Sequence, residues 1–238
     1  MDISVMKRAA QESTREYVYR CLKENIMQLR LEPGTTLSEK DIAAVLNVSR
    51  TPVREAFIQL SKEYLLDILP QKGSYVSYID LENVEESIFL RQTVESEVVK
   101  LACTDFPAEK LFELQSYLTL QQLCIKEENY IKFFELDEIL HKSIFEGCKK
   151  TRVWALIQQM NTHYNRVRWL NVAGKYDWNN ILGQHQELVR AIREKNIDLG
   201  AKIMDLHLNK VRIDINELLL DYAHYFKQEQ IAQLAQRS

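Results

Sequence analysis

Three histidines and one aspartate stand where they could do chemistry together. Asp137 and His141 are four residues apart and share a helical face with Phe133, Leu140 and Ile144; His185 lies on a stripe with Ile181, Leu188 and Ile192; His207 shares one with Ile203 or Met204, Leu208 and Val211. All four point inward on this spacing. Burying a carboxylate among imidazoles is costly unless the groups are paired or hold a cation, and neutral imidazoles with a carboxylate are good donors to a divalent metal. The residues alone leave two arrangements open: one metal centre, or separate hydrogen-bonded core histidines with an Asp137–His141 pair. His163, near Met160 and Val167, illustrates the second. Three nitrogens and one oxygen leave room at an octahedral ion for water or a small organic acid, which would also favour a nearby cation. Arg91 is the candidate, on an inward stripe with Val84, Ile88 and Val98, although Glu95 one turn on offers a plain intrahelical ion pair.

A second group lies in "NVSRTPVREAF", residues 47–57. Arg50 and Arg54 are four apart and face away from the stripe of Val53, Ala56, Phe57 and Leu60. The first turns of a helix offer free amides and a positive dipole end to phosphate, and a guanidinium suits bidentate contact with guanine O6 and N7. Ser49 and Thr51 could hold phosphates. The bland alternative is a solvated helix face. Net charge gives no help, because the chain carries −3 overall and its first 80 residues hold 11 Lys and Arg against 11 Asp and Glu. The case for nucleic acid is therefore local.

The elements that must carry these residues follow two grammars. Of the ten prolines and glycines, five fall in residues 33–73. Before them Val18, Leu22, Ile26 and Leu29 have helical spacing, stopped by "EPG"; Ser38 and Asp41 open a short helix with Ile42, Val45 and Leu46 inward; a third helix starts at Ser49 or Thr51, with Pro52 tolerated in its first turn. "LLDIL" and "SYVSYI" around "PQKG" read as a hairpin. Three helices and a hairpin make a winged helix-turn-helix. Beyond about residue 80 long helical patterns run over roughly 82–104, 108–127, 129–147, 150–170, 177–195 and 197–222, followed by a helical tail. The expected fold is mainly α: a winged helix-turn-helix domain over residues 1–79 and an all-α helical bundle over 80–238, close-coupled because no Gly/Ser linker separates them.

"PGTTLSEKDIAAVLNVSRTPVREAFIQLSKEYLLDILPQKGSYV" resembles the DNA-binding signature of the GntR family of bacterial transcription regulators, over about residues 15–78. The resemblance implies DNA contacts from Lys40, Ser49, Arg50, Thr51 and Arg54, with the wing tip at Lys72 and Gly73 near the minor groove. Two residues depart from the family's usual pattern. Tyr64 stands where a glycine is common, so the turn into the wing needs another conformation or a non-glycine residue at positive φ; Lys72 replaces a commoner arginine. Residues 82–222 resemble the all-helical FCD effector domain of one GntR subfamily. That resemblance assigns Asp137, His141, His185 and His207 to a divalent ion such as Zn, Ni, Mn or Fe, and an arginine at the place of Arg91 to the effector. Tyr164, Asn165, Arg166, Arg168 and Trp169 form a polar and aromatic cluster that could line the pocket, although such residues more often face solvent or seal helix contacts.

The expectation is a homodimeric, cytoplasmic DNA-binding regulator, more a repressor than an activator, that reads an inverted repeat in double-stranded DNA and responds to a small carboxylate or sugar acid. The dimer follows from the resemblance and from paired half-sites. A metal-dependent hydrolase with the same ligands lacks HExxH, since "KSIF" follows His141. A helical interaction module would leave Arg50 and Arg54 idle. Cys21, Cys103, Cys124 and Cys148 form neither a disulfide framework nor a CxxC knuckle and read as buried thiols. No apolar run approaches the roughly 18 residues of a membrane span, and the first residues do not look like a signal peptide.

Overall fold

The computed structural model describes residues 3–173 and 177–235. It divides into two compact units, Met1–Val84 with Thr162–Leu170 and Leu218–Ser238, and Glu85–Asn161 with Asn171–Glu217. The winged-helix unit thus also takes in a piece of the helical region and the end of the chain.

In the first unit α1 (Thr14–Met27) opens on a capping box: the Ser13 hydroxyl accepts the Glu16 amide at 3.2 Å and the Glu16 carboxylate accepts the Ser13 amide at 2.9 Å. Val18, Leu22 and Ile26 are buried as their spacing predicts, but Leu29 is not part of the helix. It sits at φ 57° just past the end, where the Leu31 amide bonds back to the Asn25 carbonyl, so the chain turns before "EPG". Helix α2 (Glu39–Val45) is capped by Ser38 on the Asp41 amide. Ile42, Ala43 and Leu46 face in, whereas Val45, expected inward, is 44% exposed, because Ala43 takes the inner edge of this seven-residue helix. Helix α3 (Arg50–Lys62) buries Val53, Ala56, Phe57 and Leu60 as read.

The hairpin forms from β2 (Leu66–Leu69) and β3 (Gly73–Val76), antiparallel with Leu66 opposite Val76, and the Lys72 amide closes its turn on Leu69. A third strand, β1 (Thr36–Leu37), adds to β3 and gives the order β1-β3-β2. Tyr64 does adopt positive φ, 59°, and the Ser77 hydroxyl donates to its carbonyl.

The remaining helices are α4 (Leu81–Thr104), α5 (Ala108–Lys126), α6 (Tyr130–Gly147), α7 (Thr151–Met160), α8 (Thr162–Ala173), α9 (Trp178–Glu194), α10 (Ile197–Tyr222) and, after a short 3₁₀ turn, α11 (Gln228–Ala235). The single helix expected over 150–170 is two, broken at buried Asn161; the Ser87 hydroxyl donates to the Met160 carbonyl left at the break. The second unit is held by an apolar core that includes Val99, Cys103, Leu140, Ile144, Leu188 and Leu208. Cys21, Cys103 and Cys124 are buried free thiols and Cys148 is half-buried. Among the described residues no helix is long and apolar enough to cross a membrane.

Candidate metal centre and nucleic-acid interface

Asp137 and His141 project from adjacent turns of α6, His185 from α9 and His207 from α10. The amphipathic stripes that bury these helices carry the four polar side chains inward with them; Asp137 is 2% exposed, and His141 and His185 are fully buried. One ligand atom from each residue lies within 4.8 Å of all the others. The closest approaches are His141 Nε2 to His207 Nε2 at 3.1 Å and His185 Nε2 to Asp137 Oδ1 at 3.2 Å, with His207 Nε2 to Asp137 Oδ1 at 3.9 Å.

The other nitrogen of each ring is engaged elsewhere. His141 Nδ1 meets the Glu95 carboxylate, His185 Nδ1 meets Gln121 Oε1 at 2.9 Å, and His207 Nδ1 meets Gln184 Oε1 at 3.0 Å. An oxygen acceptor at Nδ1 places the proton there, which leaves the Nε2 lone pair facing inward in all three rings. Three such lone pairs and a carboxylate converging in a buried space repel one another unless a proton or a cation lies among them. Donors held about 2.1 Å from an ion at right angles lie about 3.0 Å apart, so the two short separations fit metal coordination. The residues present therefore fit a divalent ion.

Glu95 links this cluster to Arg91. One oxygen accepts from His141 and the other from the Arg91 guanidinium, and Arg91 also lies 3.9 Å from Glu138. Burial alone would raise the Glu95 carboxyl, but Arg91 and His141 outweigh it and hold it down to about 2. Arg91 is 1% exposed, and its guanidinium lies 6.0 Å from the centre of the Trp154 ring. Sequence reasoning treated Glu95 only as a partner for Arg91. It missed the bond to His141 and the roles of Gln121 and Gln184 altogether.

His163 belongs to the structural class, as expected. Its Nδ1 accepts the Asp80 amide at 3.3 Å, and burial pushes its pKa down to about 3. Arg166, a weak pocket candidate, is fully buried in the first unit, where it donates to the Ser77 carbonyl at 2.8 Å and the Ser77 hydroxyl at 3.3 Å.

The DNA-facing candidates are presented outward. Ser49, Arg50, Thr51 and Arg54 at the start of α3, Lys40 on α2, and Lys72 and Gly73 at the hairpin turn are all exposed. Among the described residues neither Arg50 nor Arg54 is engaged in an ion pair or side-chain hydrogen bond, so both guanidiniums are open to an external acceptor. The Tyr75 hydroxyl donates to the Lys72 carbonyl at 2.8 Å and steadies the turn.

Family comparison agrees with both halves. The FCD domain matches residues 86–210, and the family described as bacterial regulatory proteins, gntR family, matches residues 14–76. The HTH-type transcriptional repressor RspR of Escherichia coli is 30% identical over 214 residues, 90% of this chain and 94% of that one. The chain belongs to the gntR family. An HTH-type transcriptional regulator in an unstable DNA locus of Streptomyces ambofaciens is 32% identical over 87% of this chain and 86% of its own. The solved structure of E. coli McbR/YncC superposes with a TM-score of 0.73 over 87% of this chain and 99% of that one; at 20% identity it shares the fold alone. This gntR-family protein is a DNA-binding transcription regulator, and the hydrolase and idle-scaffold alternatives are set aside.

Proposed function

We propose that this regulator acts as a repressor whose operator affinity is set by a small organic acid bound at a divalent metal ion in its helical region. The observation that carries the reading is the gathering of Asp137 and three histidines, with one ligand atom of each within 4.8 Å of the others, while each Nδ1 meets an oxygen. Asp137, His141, His185 and His207 would hold the ion, with Zn, Ni, Mn or Fe all suited to this donor set. When bound, the ion supplies a Lewis-acidic position that a carboxylate or sugar acid can occupy. Arg91 is the proposed effector contact; it pairs with Glu95 through Nε, and a guanidinium has further N–H donors for an incoming carboxylate.

The proposed division of labour assigns DNA binding to residues 1–79 and effector binding with dimerisation to residues 80–238. Arg50 and Arg54 would read base edges, Ser49, Thr51 and Lys40 would hold phosphates, and Lys72 with Gly73 would approach the minor groove. A homodimer on an inverted repeat is supported by an apolar surface on two neighbouring helices. Gln92 of α4 donates to Asp205 of α10, and on these two helices Phe89, Leu206 and Ile213 are 70%, 50% and 59% exposed. Leu206 and Ile213 are seven residues apart, so they lie on one seam. Repression is the activity named for the RspR relative. A cytoplasmic location is part of the same proposal.

The test is a thermal-shift screen of carboxylates and sugar acids on metal-loaded and metal-stripped protein, followed by operator titration with any hit. A ligand that stabilises only the loaded protein and changes its operator affinity supports the reading; hits indifferent to metal overturn it.

A further inference from the structure

Helix α4 contributes none of the four ligands, yet it reaches the centre through one side chain. Glu95 is fully buried, and its two oxygens have different partners: Oε2 faces His141 Nδ1, and Oε1 accepts from Arg91 one turn earlier on the same helix. The two glutamines that serve His185 and His207 are neutral, whereas His141 is backed by a carboxylate. A charged acceptor behind a ligating imidazole fixes its tautomer and ring orientation and makes the opposite nitrogen a stronger donor. A buried carboxylate this near an ion could also turn and ligate it directly; the Arg91 guanidinium on its other oxygen holds it in the outer position.

We infer that Glu95 is a positioning residue for the metal centre, orienting His141 through Nδ1 while Arg91 keeps the carboxylate from becoming a ligand itself. The inference rests on the metal reading above and goes beyond it by tying ion affinity to α4. It also makes Arg91 part of the centre's support, so that any anion drawing Arg91 away changes how firmly His141 is held.

The test is cobalt binding to the full-length chain, read by chelator competition and by the visible absorption of the bound ion. Glu95→Gln keeps an oxygen acceptor but removes the charge, and is expected to weaken affinity about ten- to a hundredfold and to shift the absorption bands. Because Glu95→Gln leaves Arg91 buried without its carboxylate, the double variant Arg91→Met/Glu95→Gln, which removes both charges, serves where the single one does not fold. Nitrogen NMR of histidine-labelled, zinc-loaded wild type checks the same point with no substitution: His141 should carry its proton on Nδ1 and bind through Nε2. Wild-type affinity and bands in a folded variant, or a His141 proton on Nε2, overturn the inference alone. A wild-type chain that takes up no cobalt overturns the metal reading together with it.

Discussion

His141 and His207 face each other Nε2 to Nε2 at 3.1 Å, although they are 66 residues apart in sequence. Two unprotonated ring nitrogens at that distance repel unless a proton or a cation lies between them. If the proposed ion is what relieves this repulsion, removing it should cost stability directly. With free metal about a thousandfold above its Kd, binding contributes about 4 kcal/mol. A chelator should lower the melting temperature by several degrees, and one equivalent of metal should restore it; calorimetry with and without chelator checks this, and equal melting temperatures count against it.

At the DNA face the two kinds of contact separate by experiment. Arg54→Ala should cost about 1–3 kcal/mol at one base position and relax preference there, whereas Lys40→Ala should weaken all sequences alike and flatten the salt dependence by about one phosphate contact. Binding to a panel of operator variants at several salt concentrations measures both. A uniform loss for Arg54→Ala would reassign it to phosphate.

The reading of α3 shows what sequence carries well. Val53, Ala56, Phe57 and Leu60 recur at helical spacing and are buried, which left Arg50 and Arg54 outward with no further assumption. The inward positions of Asp137, His141 and His185 followed in the same way from their apolar neighbours. Other features had no local signal. Strand β1 is two residues long, too short for alternation to register, and the α7–α8 break falls at Asn161 with no proline or glycine to mark it. Glu95, Gln121 and Gln184 find their histidines 46, 64 and 23 residues away, contacts created only by helix packing.

Acid should expose the structural histidine. Burial first, then the charge of Arg166, hold the His163 pKa down to about 3 from an ordinary 6.5. Between those values the unfolded chain binds a proton that the folded chain refuses. Its contribution is thus intact above about pH 6.5 and stability is lost as pH falls from there toward about 3, by up to about 1.4 kcal/mol per unit. His163→Gln keeps an acceptor for the Asp80 amide and should flatten this loss. Urea midpoints of both proteins near neutrality and in mild acid decide it; parallel declines would contradict the assignment.

The apolar seam on α4 and α10 makes a further prediction. Placing a charge there, as in Phe89→Glu or Ile213→Glu, should dissociate the proposed dimer while leaving the fold intact, because both side chains are already exposed within one chain. Sedimentation should show monomer with an unchanged circular dichroism spectrum. A dimer that survives both changes would place the interface elsewhere.

The most direct measurement is the metal content of full-length protein purified without chelator, by elemental analysis of wild type and His185→Ala. One divalent ion per chain in wild type and a small fraction of that in His185→Ala are expected. Wild type lacking metal after reconstitution, or an undiminished stoichiometry in His185→Ala, would contradict the account.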